Sequence, residues 1–69
     1  MKLKELVAIT DRYNSWIEVR VGNEMYYDVV ETIPLISNAR EDIYESENAD
    51  REVYSIYAYE SLHIVAYIV

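Results

Sequence analysis

The chain has 69 residues, of which 52% are hydrophobic, and it carries a formal net charge of −7 with one histidine and no cysteine. This length and composition fit a single domain over residues 1–69 and exclude a disulfide framework, a thiolate zinc site and a membrane span of ~20 apolar residues. Because so much negative charge repels phosphate backbones and anionic lipids, we expect neither direct nucleic-acid binding nor membrane binding.

The opening segment has the apolar spacing of an amphipathic helix. We predict a short helix over about residues 2–10, with a strand as the competing prediction because Val7 and Ile9 are β-branched. The apolar run is too short for a signal peptide, so we expect a cytoplasmic protein. The positions that share the helical face are Leu3, Leu6, Val7 and Thr10.

The next segment predicts a β-hairpin. Side chains alternate between apolar and polar over residues 15–21, which is typical of a half-buried strand, and a second strand is predicted over residues 24–30. Gly22 and Asn23 stand between them and supply the positive φ angles that a two-residue hairpin turn needs. Both faces of the second strand are partly apolar, so we expect the helix to cover one face and a partner to cover the other.

Pro34 disfavours helix before it and interrupts the strand pattern, so residues 32–37 are predicted as a connector. Residues 39–47 then predict a short acidic helix that turns Ile43 and Tyr44 towards the core. Acids at the C-terminal end of this helix oppose its dipole, so the sequence marks that end poorly.

The last segment, residues 51–69, predicts a second hairpin around Glu60 and Ser61, with alternating side chains on either side. Its final strand is apolar on both faces, so it is either central in the sheet or covered by another subunit. The predicted fold is therefore α+β: a short N-terminal helix, two antiparallel hairpins that form a four-stranded sheet, and an acidic connector with a short helix.

Six of the thirteen acids lie within twelve positions that contain one base, Arg51. A calcium site is disfavoured because the run lacks the Asp-x-Asn-x-Asp-Gly ladder. A solvated surface that keeps the protein soluble is one interpretation. The other is that the carboxylates imitate a phosphate backbone and occupy the basic groove of a nucleic-acid-handling protein. The acids are Glu41, Asp42, Glu45, Glu47, Asp50 and Glu52, and all but Glu52 are predicted to contact the partner.

Eight tyrosines and no phenylalanine are an unusual bias in a chain of 69 residues. Core packing is the default use of such rings, but a tyrosine also gives large contact area at low entropic cost and keeps a polar tip. Aromatic platforms that stack nucleobases are flanked by Lys and Arg, whereas these rings are flanked by acids. We therefore predict a protein partner, contacted by Tyr44, Tyr54, Tyr57 and Tyr59.

The sequence predicts no enzyme, no cofactor and no metal site. Ser61 and His63 are two residues apart on one predicted strand, which does not give the opposed geometry of a nucleophile and its base. A single glycine cannot build a glycine-rich phosphate loop. A chain this small also has little room for a cleft that desolvates one of its carboxylates.

Two strings carry a resemblance to a known group of proteins: KLKEL at residues 2–6 and DREVYSIY at residues 50–57. Both are similar to strings in short orphan proteins of phages and prophages of gut Firmicutes, and the order of segments is similar over most of the chain. Several anti-CRISPR proteins are likewise small, acidic and free of catalytic motifs. The resemblance implies an anti-defence factor that acts in the host cytosol by stoichiometric binding to a defence effector.

Our main hypothesis is an inhibitor that binds a host nuclease effector complex, with the acids steering it onto a basic groove. A homodimer is a further hypothesis, because oligomerisation would relieve the small size of the core. A phage regulatory or structural protein without a defence role is another. The alternative from a different class is an oligomeric sponge that sequesters a nucleotide messenger, using tyrosines together with Arg12, Arg20, Arg40 and Arg51.

Overall fold

A computed structural model describes residues 1–10, 16–35, 37–59 and 63–69, without the side chains of residues 37–40 and of Tyr59. The fold is α+β, with one short helix and a four-stranded sheet. No helix in these ranges is long and apolar enough to cross a membrane. The elements are α1 (Leu3–Ile9), β1 (Trp16–Gly22), β2 (Tyr27–Pro34), a 3-10 helix (Ser37–Glu45), β3 (Val53–Tyr59) and β4 (His63–Ile68).

The four strands form one mixed sheet in the order β2-β1-β4-β3. β1 pairs antiparallel with β2, β4 pairs antiparallel with β3, and β1 and β4 run parallel at the centre. The central position explains why β4 is apolar on both faces, so the first of its two predicted alternatives is correct. β3 and β4 pair as far as Tyr59 and His63, while the turn predicted at Glu60 and Ser61 lies outside the described residues.

Helix α1 and the 3-10 helix pack on one face of the sheet. α1 forms where the apolar periodicity predicts it, and the competing strand prediction is wrong. The Glu5 carboxylate accepts the backbone N–H of Lys2 at 2.8 Å and so satisfies a donor at the start of the helix. The core between the two layers contains Leu3, Leu6, Val7, Ile17, Val19, Ile33, Leu35, Ile43, Ala49, Ala66 and Ile68.

The turn between β1 and β2 is wider than predicted. Gly22 pairs with Tyr27, so the prediction of a two-residue turn is wrong and β2 begins three residues later than expected. The Asn23 side-chain oxygen accepts the N–H groups of Met25 and Tyr26 at 2.9 and 3.0 Å. The Asn23 N–H in turn donates to the Tyr26 carbonyl at 2.8 Å. These local bonds favour the wider turn, because the Asn23 side chain accepts backbone N–H groups that would otherwise pair with a neighbouring strand.

Strand β2 continues through Pro34, which pairs with Trp16. The prediction that residues 32–37 form a connector is therefore wrong for the first three of them. β2 lies at the edge of the sheet and has a neighbouring strand on one side only. The missing N–H of proline is tolerated there, because it can point away from the sheet.

The acidic segment forms a 3-10 helix over residues 37–45, two positions ahead of the helix predicted over residues 39–47. Ile43 is buried as predicted, but Tyr44 is 67% exposed, so the prediction that Tyr44 turns inward is wrong. With three residues per turn, adjacent side chains point about 120° apart, and only one of these two can face the core.

The substitution Gly22→Ala tests the turn. Gly22 has a φ of +127°, and a Cβ there would press on the carbonyl oxygen of Tyr26 and lie 2.9 Å from the Cα of Tyr27. We expect the free energy of unfolding, measured by urea denaturation, to fall by about 1–3 kcal/mol. Glu24→Ala in the same turn is the control and should change it by less than about 0.5 kcal/mol. A Gly22→Ala variant as stable as its control would contradict this turn.

Candidate partner-binding site

The sheet face opposite α1 is organised around one buried cation, Arg20 of β1, which is 8% exposed. Its Nη1 donates to the hydroxyl of Tyr57 on β3 at 2.8 Å and to that of Tyr67 on β4 at 3.0 Å. Its Nε donates to the Glu18 carboxylate, and its guanidinium carbon lies 3.8 Å from the ring centroid of Tyr27 on β2. One side chain therefore contacts all four strands.

The charge of Arg20 is held firmly in this cluster. Burial alone would lower its pKa, but hydrogen bonds with Tyr67 and Glu18 and the charge of Glu18 raise it above the usual value. A hydrogen bond with Tyr67, followed by burial, raises the pKa of the Tyr57 phenol. The cluster is therefore a neutralised ion pair beside a Tyr57 phenol that stays protonated at physiological pH.

Aromatic side chains cover the rest of this face. Trp16 stacks on His63 with ring centroids 4.6 Å apart and planes 9° apart. Tyr67, at the centre of the tyrosines, is 2% exposed, and Val65 is fully buried beside it. Neither belongs to the core on the α1 side. The face is thus largely covered by its own side chains, and His63 is a packed residue of this layer.

Removing the guanidinium should destabilise the sheet. Arg20→Met leaves the Glu18 carboxylate and two phenols without their donor, and we expect the free energy of unfolding to fall by about 3 kcal/mol. The double variant Arg20→Met/Glu18→Leu removes the stranded carboxylate as well, so it should recover most of that loss. Urea denaturation measures both variants. Equal losses would show that charge pairing does not hold this face together.

The exposed acids of the 3-10 helix and the turn after it form a different surface, on the α1 side of the molecule. Tyr44 stands among them, and Val7 and Ala8 of α1 line a shallow groove beside them. Within the described ranges no Lys or Arg forms a salt bridge with these acids. We call this the acidic surface; it comprises Glu41, Asp42, Tyr44, Glu45 and Glu47.

Asp50, the fifth acid predicted to contact a partner, is held by lysines instead. Its carboxylate lies 2.7 Å from Nζ of Lys4 and 3.7 Å from Nζ of Lys2, which joins the start of α1 to the turn before β3. The hydrogen bond and charge of Lys4 lower the pKa of Asp50 below its usual value. Asp50 is therefore compensated, whereas the four carboxylates of the acidic surface have no ion pair with any side chain that the structure describes.

The Lys4–Asp50 pair gives a pH test of this distinction. In Lys4→Gln the pKa of Asp50 should rise towards its usual value, as followed by NMR titration of the side-chain carboxyl carbon. Lys2→Gln is the control and should raise it less, because Lys2 is farther away. Because the pKa of Asp50 is lower in the folded state, the ion pair stabilises the fold at pH values above the unfolded-state pKa. This stabilisation is lost as the pH falls through the folded-state pKa. The stability of wild type and Lys4→Gln should thus converge in acid; a gap that persists there would contradict the pairing.

The four predicted tyrosine contacts do not form one surface. Tyr44 belongs to the acidic surface, whereas Tyr57 is half-buried in the Arg20 cluster on the opposite face. Tyr54 is 55% exposed, and its hydroxyl donates to the Gly22 carbonyl. The side chain of Tyr59 lies outside the described residues. The structure therefore brings Tyr44 together with four of the acids and separates them from Tyr54 and Tyr57.

Sequence reasoning missed two features. The first is the Arg20 cluster, whose signal in the sequence is that Glu18, Arg20 and the later tyrosines alternate onto one face. The turn residues Met25 and Tyr26 are the second feature: both are about four-fifths exposed on a turn fixed by Asn23. The two-residue turn that was predicted left no loop in which to place them.

Of the four arginines predicted to bind phosphate in a messenger sponge, the two whose side chains are described already form hydrogen bonds within the chain. Arg20 donates to Glu18, Tyr57 and Tyr67. Arg51 donates to the Val69 carbonyl at 2.9 Å and to the Asn48 side chain at 3.0 Å. The side chains of Arg12 and Arg40 lie outside the described residues. No group of three His, Asp or Glu side chains in the described part could hold a metal ion.

Comparisons with known proteins found no match among protein-family models, curated proteins or solved structures. The resemblance to phage anti-defence proteins therefore stays a prediction. A functional proposal for this chain rests on its surface chemistry.

Proposed function

We propose that the chain is a non-catalytic, anti-CRISPR-like inhibitor that binds a host nuclease effector through the acidic surface. The observation that supports this proposal is the contrast among the acids. Glu18, Asp50 and Glu52 have cationic partners, so their charge serves the fold. The carboxylates of the acidic surface are exposed without a described cation beside them, so their charge is available to a partner.

The kind of partner follows from this charge. A groove that binds nucleic acid presents Lys and Arg to successive phosphates, and it attracts a closely spaced row of carboxylates for the same Coulombic reason. Tyr44 adds a large exposed ring among these acids, of the kind that carries much of the binding energy at protein interfaces. In this proposal the acids accelerate association and Tyr44 slows dissociation.

Inhibition follows from occupancy. A basic groove filled by the acidic surface cannot at the same time hold its nucleic acid, so one bound chain blocks one effector without any chemical step. This mechanism needs no nucleophile, cofactor or metal ion. It requires only that the chain compete with nucleic acid, so inhibition should weaken as the nucleic-acid concentration rises.

The test compares two variants of equal net charge. Glu41→Gln/Glu45→Gln removes two charges from the acidic surface, and Glu24→Gln/Asp28→Asn removes two exposed charges from the β1–β2 turn and β2. Each is titrated against a panel of purified RNA-guided DNA nucleases, with DNA cleavage and association rate as readouts. At low salt we expect Glu41→Gln/Glu45→Gln to associate about tenfold more slowly than wild type, and the difference should shrink as salt screens the charges.

The control variant should keep an association rate within about twofold of wild type, because its charges lie away from the contact. Equal slowing in both variants would show that net charge, rather than this surface, drives association. If wild type inhibits no nuclease in the panel, that result counts against the proposed function itself.

A further inference from the structure

Glu31 of β2 carries a carboxylate that the sheet turns towards the helical layer. It pairs with Val19, which is fully buried in the core, so its side chain lies on the α1 side of the sheet. Its Oε1 accepts the hydroxyl of Ser46 at 2.5 Å and the side-chain amide of Asn48 at 2.9 Å. It forms no ion pair with a described residue, so these two neutral donors stabilise its charge.

Asn48, which follows the acidic surface in the chain, is 5% exposed and lies between an acid and a base. Its Nδ2 donates to Glu31, and its Oδ1 accepts from Nη1 of Arg51 at 3.0 Å. Because a guanidinium has only donors and an ionised carboxylate only acceptors, the asparagine amide fits in one orientation. Arg51 also donates to the Val69 carbonyl at 2.9 Å. We call these contacts the Asn48 bridge; its members are Glu31, Ser46, Asn48 and Arg51.

The acidic surface depends on anchors outside its own charged residues. Its four carboxylates repel one another and favour an open segment over a compact one. A 3-10 helix also has poorer hydrogen-bond geometry than an α-helix, so it contributes little to holding the segment together. Ile43, 2% exposed, holds the helix to the core, and Asn48 holds the turn after it. Tyr44, Glu45 and Glu47 lie between these two anchors, which together fix their position.

We propose that Asn48 is a positioning residue for the acidic surface: its two side-chain hydrogen bonds keep Tyr44 and the carboxylates in one arrangement before a partner binds. A surface that is already held in its binding arrangement loses less conformational entropy on association. The ordering of the surface by the Asn48 bridge is independent of what the surface binds. The effect of that ordering on inhibition rests on the proposed function.

Asn48→Asp tests the bridge in the chain alone. It keeps the shape of the side chain and the acceptor for Arg51, but it puts a second carboxylate against Glu31 in place of a donor. The backbone amides of residues 46, 48 and 49 all donate within this segment. At neutral pH we expect these amides to exchange with deuterium about tenfold faster than in wild type, with those of β1 and β4 unchanged. The ratio should fall towards one in acid, because the two carboxylates can then share a proton.

Glu31→Gln/Asn48→Asp is the matched control. One carboxylate is removed and one is added, so the net charge stays at −7, and the new amide can donate to the new carboxylate. Exchange at residues 46, 48 and 49 should return to within about twofold of the wild-type rate. Wild-type exchange in Asn48→Asp would overturn the positioning role, and so would fast exchange that the second substitution does not reverse.

Ser46→Ala covers the case in which Asn48→Asp unfolds. It removes one donor from Glu31 and the acceptor of the residue-48 amide, which lies 3.0 Å from the serine oxygen. We expect exchange at residues 48 and 49 to rise about threefold while the sheet amides keep their rates. Unchanged exchange at these two positions would overturn the bridge.

Association with an RNA-guided nuclease that wild type inhibits separates position from charge. Asn48→Asp adds a carboxylate beside the acidic surface, so charge alone predicts faster association with a basic groove. The positioning role predicts association about threefold slower than wild type, with Glu31→Gln/Asn48→Asp restored to the wild-type rate. Faster association of Asn48→Asp overturns the positioning role and leaves the proposed function intact. If wild type inhibits no nuclease, the proposed function fails, and the exchange rates alone decide whether the bridge orders the surface.

Discussion

Arg20 is the constraint on which the sheet depends. A guanidinium cannot be buried unless its donors are satisfied, and this one is satisfied only if side chains from β1, β3 and β4 converge on it while a ring from β2 lies across it. The parallel pairing of β1 with β4 at the centre makes that convergence possible, because it places Arg20 directly beside Tyr67. The Arg20 contacts thereby reinforce the parallel β1–β4 ladder, which joins the two hairpins.

The same contact decides which surfaces are left for binding. The sheet face away from α1 is covered by its own aromatic side chains, and its cation is neutralised by Glu18. The surfaces left exposed include the acidic surface on the α1 side and the turn residues Met25 and Tyr26. Of these, the acidic surface attracts a basic partner over a distance, because its charge acts beyond direct contact.

Much of the fold could be predicted from hydrophobic periodicity. The helix, the four strands and the neighbours within each hairpin follow from apolar spacing, which reports burial directly. Periodicity does not report hydrogen bonds made by side chains, so the wide turn set by Asn23 and the Arg20 cluster were missed. Pro34 was predicted to lie in a connector, whereas it ends β2. A proline destabilises a central strand but is tolerated in an edge strand, and the position of a strand is a property of the whole sheet. Of the candidate site, the acids were found, but the lysine partners of Asp50 lie more than forty positions earlier in the sequence.

A hydrogen-exchange footprint shows whether the acidic surface contacts a nuclease. The full chain is exchanged alone and in complex with an RNA-guided nuclease that it inhibits, and amide protection is compared residue by residue. We expect slower exchange over residues 41–47 in the complex, with the amides of β1 and β4 unchanged because they are already protected by the sheet. Protection that appears at the β1–β2 turn or along β2, with residues 41–47 unaffected, would contradict it.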